Sequence, residues 1–291
     1  MGKTDMSLID RRRQRRRGAV TGATSSERPE GGAMLRLDHV AYSYGGVQAV
    51  RDVSLEVSRG EFCGLIGPNG AGKSTLIDCI SGRATSYSGA VHIDGEEVTG
   101  WGLQRTAEFG LVRTFQTSRV FSRLSVVSDV LVGARDQEGT TVASAIRGGW
   151  RENERRHVAD VVSMLDRFSI GHVANNLGSE LSGGQRRLVE LSRAILTRPR
   201  MLLLDEPFAG VSPVARKELA RHLRSLCEQD GLTVLMVEHR LDLVEQLCDR
   251  IYVMAEGTIL ACGSMAELRR NSSVTSAYLG KSASADRLAA E

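Results

Sequence analysis

The feature that most constrains this chain is the run Gly67-Pro68-Asn69-Gly70-Ala71-Gly72-Lys73-Ser74-Thr75. It follows an apolar segment, Phe62 to Ile66, of the kind that forms a buried strand, and it leads into a helical pattern from Lys73. A glycine-rich turn in that setting fits G-x-x-x-x-G-K-[ST] and predicts a phosphate cradle. Glycines reach backbone angles closed to other residues, so successive N–H groups can converge on phosphate oxygens. The helix adds the positive end of its dipole. Lys73 can then meet the β- and γ-phosphates of a nucleoside triphosphate while the Ser74 hydroxyl ligates Mg²⁺.

A second apolar strand, Met201 to Leu204, ends in Asp205-Glu206-Pro207. Side chains alternate along a strand, so the two adjacent carboxylates are expected to point different ways and hold different jobs. Asp205 is the expected partner of Mg²⁺ from outside its direct ligands, as in P-loop enzymes generally. Glu206 is placed to polarise a water for in-line attack on the γ-phosphate. Leu181-Ser182-Gly183-Gly184-Gln185 opens a further helical pattern through Leu188, Leu191 and Ile195. A Ser cap followed by two glycines makes another anion cradle, because the first N–H groups of a helix have no partner inside it.

Strands are expected near 35–44, 52–58, 90–94, 111–115, 201–205, 233–238 and 250–255. Their alternation with helices predicts an α/β layer with a parallel sheet. From Gln116 to Leu181 the pattern is helical: in Arg151 to Phe168, the residues Val158, Val161, Val162, Leu165 and Phe168 recur at helical intervals. That stretch reads as an inserted helical subdomain.

At 291 residues the chain has room for about two domains. No apolar run approaches the roughly 18 residues of a spanning helix. The net charge of +3 is unevenly placed: residues 1–33 hold eight Lys and Arg against four acids, so the other 258 residues sum to −1. A near-neutral body lacks the electrostatic footprint of a nucleic-acid binder. The head reads either as a disordered basic extension, with Met34 as the working start, or as a basic arm for anionic lipid or nucleic acid. Five cysteines at 63, 79, 227, 248 and 262 show no C-x-x-C spacing, so neither a disulfide framework nor a zinc site is indicated, and a reducing compartment fits.

The signature stretch 181–185 lies between the phosphate loop and the Asp-Glu pair, and in that order the motifs make the chain resemble an ABC ATPase from residue 34 to about 280. The resemblance implies a P-loop core of RecA-like parallel sheet plus an antiparallel β subdomain, with a helical subdomain inserted over about 117–200. It implies ATP and Mg²⁺ as ligands; beyond the resemblance, residues 281–291 are expected to form a flexible tail. Tyr44 resembles the aromatic that stacks on adenine. Gln116 resembles the loop glutamine that touches Mg²⁺ or the attacking water, and His239 resembles the switch histidine that hydrogen-bonds the γ-phosphate. Ser182, Gly183, Gly184 and Gln185 would cap the ATP held by the phosphate loop of a second ATP-binding subunit, in a homo- or heterodimer. Two positions depart from the family pattern: Ser212 stands where Asp or Asn is more usual, and Arg240 where Asp is frequent.

Gly110 to Gln116, Arg119-Val120-Phe121, Leu124-Ser125-Val126, Gly210-Val211-Ser212-Pro213 and Val274 to Gly280 are similar to the ATP-binding subunits of branched-chain amino acid importers. The unaltered Leu-Ser-Gly-Gly-Gln is nearer the general ABC form. This branch implies transmembrane permease subunits as partners, a solute-binding protein indirectly, and a place on the cytoplasmic face of the membrane. The alternatives are an exporter of lipid or drug, or a soluble ABC ATPase acting on nucleic acid or the ribosome. The last usually carries two ATPase units or a long coiled coil, and neither is seen in this sequence.

Overall fold

Apolar runs without polar interruption make stable strands where both faces of a sheet are covered. Three such runs build the centre of this protein. The computed structural model describes residues 32–114, 120–134 and 150–279. Within them, β3 (Phe62–Ile66), β7 (Met201–Asp205) and β8 (Thr233–Val237) are buried at every position. They are joined by β6 (Leu111–Arg113), β9 (Arg250–Ala255) and β10 (Thr258–Gly263) in a six-stranded sheet of order β10-β9-β3-β8-β7-β6. All neighbours pair in parallel except β10, which is antiparallel to β9.

The period of two divides these strands between two cores. Phe62, Ile66, Leu202, Leu204, Val234 and Met236 face one core, and Cys63, Leu65, Met201, Leu203, Leu235 and Val237 face the other. Burying a Leu or Val side chain contributes roughly 1.5–3 kcal/mol, so both faces hold the sheet. The second core is closed by α1 (Lys73–Ile80) and an antiparallel sheet of order β2-β1-β4-β5, built from β1 (Ala33–Tyr44), β2 (Val47–Ser58), β4 (Ser88–Ile93) and β5 (Glu96–Glu97).

The first core carries the helices that follow β6. After α2 (Leu103–Phe109) and β6 come α3 (Val126–Leu131), α4 (Trp150–Arg167) and α5 (Gly183–Leu196), which pack on one another through Val126, Val130, Val161, Leu165 and Leu188. The fully buried Asp129 ties them further: its carboxylate accepts from Arg193 of α5 at 2.6 Å and from the Phe121 amide at 2.6 Å. Then follow α6 (Pro213–Asp230), α7 (Leu241–Leu247), α8 (Met265–Arg270) and α9 (Ser272–Leu279), the last docked through Val274. Among the described residues no helix is long and apolar enough to cross a membrane.

The sequence expectations differ from this fold in several places. β2 starts at Val47 and not at 52, because a hairpin pairs Val47 with Tyr44. β6 stops at Arg113, although the Thr114 amide still donates to the Leu203 carbonyl at 3.0 Å. β5 and β10 were not expected: β5 is two exposed glutamates, and β10, although Ile259 to Cys262 is apolar, is an edge strand with no fully buried residue.

Candidate nucleotide site

Parallel strands send their following loops to the same edge of the sheet, which is where open α/β sheets bind ligands. Here that edge gathers residues 67–72 after β3, Thr114 after β6, Glu206 after β7, and Glu238 and His239 after β8. The predicted phosphate loop is formed as expected, between β3 and α1. Gly72 is the N-cap of α1 with φ +100, a left-handed conformation, and a Cβ there would stand 2.3 Å from the Ala49 carbonyl oxygen. Only glycine meets both conditions. Gly67 and Pro68 turn their carbonyls onto Lys73, whose Nζ donates to them at 2.8 and 3.0 Å. Ala71 is buried and its carbonyl accepts from the Gly257 amide at 3.0 Å, while Asn69 and Gly70 at the tip and Ser74 are exposed; Thr75 is half-buried. Burial pushes the Lys73 ammonium below its ordinary pKa, and the carboxylates of Glu206 and Asp205 pull it back up. The strand-end acids therefore act on the loop lysine.

Asp205 is buried, and its Oδ2 accepts from Arg113 Nη2 at 3.0 Å. Glu206 is turned away by the backbone and not by strand alternation: β7 ends at Asp205, and Glu206 has φ +46 with its amide bonded to the Val237 carbonyl at 2.9 Å. A non-glycine residue in the left-handed region costs of order 1–3 kcal/mol and is commonest where function requires it. His239 is exposed, with Nδ1 3.9 Å from Glu206 Oε1 and 3.8 Å from Glu238 Oε1. Glu238 is 1% exposed; its Oε1 accepts from the Arg240 amide at 3.3 Å, and its Oε2 has no hydrogen-bond partner among the described residues. Desolvation raises its carboxyl pKa, with the neighbouring Glu206 adding to the rise and His239 opposing it.

Ser182 is the N-cap of α5, and the cap is reciprocal: Ser182 Oγ accepts from the Gln185 amide at 3.3 Å, and Gln185 Oε1 accepts from the Ser182 amide at 2.8 Å. One of the helix N–H groups expected to be open to an anion is thus spent, and the amides of Gly183 and Gly184 are the ones left to it. Close packing explains these two glycines. A Cβ on Gly184 would meet the Ala215 Cβ at 2.7 Å, and one on Gly183 the Gly210 carbonyl at 2.8 Å. No hydrogen bond among the described residues joins 182–185 to 67–75 of the same chain. Tyr44 is 53% exposed at the tip of the β1–β2 hairpin, steadied by an edge contact to Tyr42 at 4.8 Å. Gln116 lies outside the described residues, as do Arg119, Gly280 and the side chains of Tyr278 and Leu279.

The Ser74 hydroxyl and Asp205 carboxylate are hard oxygen donors of the kind Mg²⁺ takes. Among the described residues no group of three or more His, Cys, Asp or Glu could hold a metal on protein atoms alone. The donors present thus fit a Mg²⁺ that takes its remaining ligands from phosphates and water. Sequence reasoning passed over two groups. Arg113 was read within a resemblance but given no role, and Glu238 was read as the end of a strand; an acid closing an otherwise apolar run, next to the histidine, was the available signal.

A glycine cradle, a lysine and strand-end acids at one edge of a parallel sheet define a P-loop nucleotide-binding protein. The ABC transporter family model matches residues 50–209, more than half of the chain, and the chain belongs to that family. It is 36% identical over 250 residues, 85% of this chain and 98% of the relative, to the high-affinity branched-chain amino acid transport ATP-binding protein LivG of Salmonella typhimurium. It is 34% identical to BraF of Pseudomonas aeruginosa, with the same name otherwise, over 85% of this chain and 98% of that protein. Among solved structures, the ADP conformation of MJ1267, an ATP-binding cassette of an ABC transporter, superposes with TM-score 0.74 at 33% identity, covering 86% of this chain and 99% of that one.

Proposed function

We propose that this chain is the ATP-hydrolysing subunit of an importer for branched-chain amino acids or related small solutes, working through separate transmembrane permease subunits. The observation that carries the reading is the joint one: the loop, acids and histidine share one sheet edge in a chain similar to LivG over nearly its whole length. Backbone amides of 67–75 and the Lys73 ammonium would hold the phosphates, and the exposed face of Tyr44 would stack on the base. Mg²⁺, when bound at Ser74, Asp205 and Gln116, supplies charge neutralisation at the β- and γ-phosphate oxygens. Glu206 takes a proton from the water that attacks the γ-phosphorus, ADP leaves, and His239 donates to the γ-phosphate oxygens.

The two amides left at the head of α5 support a role for Ser182, Gly183, Gly184 and Gln185 as an anion cap. In this reading they close over the ATP of a second ATP-binding subunit. Helices of the segment 117–180, within an inserted domain over about 117–200, carry the movement to the permease, which holds the chain at the cytoplasmic face of the membrane. Phe121, Leu124 and Leu177, large apolar residues exposed beside that helical group, support a covered surface there.

The test is purification of the complex from its native membrane. Permease subunits should accompany the chain, and a binding protein loaded with a branched-chain amino acid should raise ATP hydrolysis severalfold. Absence of any membrane subunit, or stimulation by an unrelated solute alone, would overturn the reading.

A further inference from the structure

Three elements of the site meet at one guanidinium. Arg113, the last residue of β6, sends Nη1 to Asp78 Oδ1 of α1 at 2.5 Å and to Ser81 Oγ at 3.3 Å, and Nη2 to Asp205 Oδ2 at the end of β7 at 3.0 Å. The side chains are 9, 19 and 12% exposed for Arg113, Asp78 and Asp205. An arginine fork cannot lose its proton and holds fixed directions, so shared between two carboxylates it fixes both. Its grip on Asp205 takes Oδ2 and leaves Oδ1 with no hydrogen bond from a described residue. Partners of this kind orient the carboxylates that meet a metal, and losing them typically weakens metal binding 10–100-fold.

We propose that Arg113 is a positioning residue for the nucleotide's metal: it selects the Asp205 oxygen presented to Mg²⁺ and anchors that choice to α1 through Asp78. The inference rests on the nucleotide-site reading above. It has a definite sign. A cation beside the carboxylate also repels Mg²⁺, so if charge alone mattered, removing Arg113 would tighten metal binding; if orientation governs, removal weakens it.

The experiment uses the full chain and the non-hydrolysable analogue AMPPNP. Nucleotide affinity is measured in EDTA by calorimetry, and Mn²⁺ is then titrated into the protein–AMPPNP complex, with free Mn²⁺ followed by electron paramagnetic resonance. Arg113→Met should keep metal-free nucleotide affinity within about twofold and lower Mn²⁺ affinity about tenfold. Arg113→Lys, which retains the charge without the fork, and Asp78→Asn, which removes only the anchor, should each lower it about threefold. Mn²⁺ affinity unchanged or tighter in Arg113→Met, or falling only in step with metal-free nucleotide affinity, overturns the proposal. Should Arg113→Met fail to fold, unchanged Mn²⁺ affinity in both other variants overturns it. Wild-type protein that binds no AMPPNP overturns the nucleotide site together with the inference, whereas wild type that binds Mn²⁺ and AMPPNP beside equally competent variants overturns the role of Arg113 alone.

Discussion

The phosphate loop and the strand-end acids lie at the same sheet edge but are built in opposite ways. Every bond that shapes Lys73 comes from within six residues of it, since its ammonium donates to the Gly67 and Pro68 carbonyls. Asp205 takes its partner Arg113 from 92 residues away, and Glu206 is fixed by the register that sets Asp205 opposite Val237. The loop is thus a backbone object, held by what glycine permits. The acid cluster is a charge object, held by which side chains the sheet brings together. Substitutions should separate the two: an added methyl group should break the first, and a changed charge the second.

The largest effect is expected in the charge object. Glu206→Gln keeps the shape of the side chain and removes its ability to accept a proton, so ATP turnover should fall by about 10³-fold with ATP still bound. Trapped nucleotide and a slower-sedimenting monomer replaced by a closed dimer would be read by centrifugation with ATP. Near-normal turnover would remove Glu206 from the general-base role and leave the comparison with one side empty. Gly72→Ala comes next and attacks the backbone object without touching any charge. Its Cβ would lie 2.3 Å from the Ala49 carbonyl oxygen at a φ of +100. Strain and overpacking together should cost about 3 kcal/mol in urea denaturation, with nucleotide binding lost as the loop shifts. A fully stable Gly72→Ala that still binds ATP would show that the loop is not set by backbone geometry.

Glu238 tests the charge side more gently. Burial raises its carboxyl pKa, so the folded chain holds this proton more tightly than the unfolded chain does. Stability from this group is therefore present at low pH and lost as pH climbs from the ordinary carboxylate value through the raised one, leaving a cost at neutral pH. Glu238→Gln removes the charge that burial disfavours and should therefore remove that cost. The melting temperature of the variant should exceed that of the parent at pH 8, and the two should converge toward pH 4. A gain independent of pH would mean that packing, and not charge, accounts for it.

The same contrast explains what the sequence made legible. The loop, the buried strands β3, β7 and β8 and the helix after Ser182 were readable because each is written by neighbouring residues: an apolar run, a glycine spacing, a cap. β10 was passed over: its apolar run, Ile259 to Cys262, is short, and the strand lies at the sheet edge with no fully buried position. For Asp205 and Glu206 strand alternation is the wrong reason to expect different directions, since Glu206 lies beyond the end of β7 in a turn with φ +46. The partnership of Arg113 with Asp78 and Asp205 spans 35 and 92 residues, and no local pattern announces it.

Ser212 gives the smallest effect and the finest division between the two kinds of construction. It stands where the family more often has Asp or Asn, and the fold supplies a reason that the exchange is tolerated. Ser212 is the N-cap of α6: its Oγ accepts from the Ala215 amide at 3.4 Å, with Pro213 following in the first turn. Serine, aspartate and asparagine all perform that task, so the position demands a cap and is indifferent to which of the three provides it. Ser212→Ala should therefore cost about 1 kcal/mol of stability. Ser212→Asp should restore the parent value or exceed it slightly, because a carboxylate also favours the positive end of the helix. Both are read from urea midpoints at unchanged slope. A large loss in Ser212→Asp would move this residue to the charge side, where its neutrality would itself be required by whatever faces it.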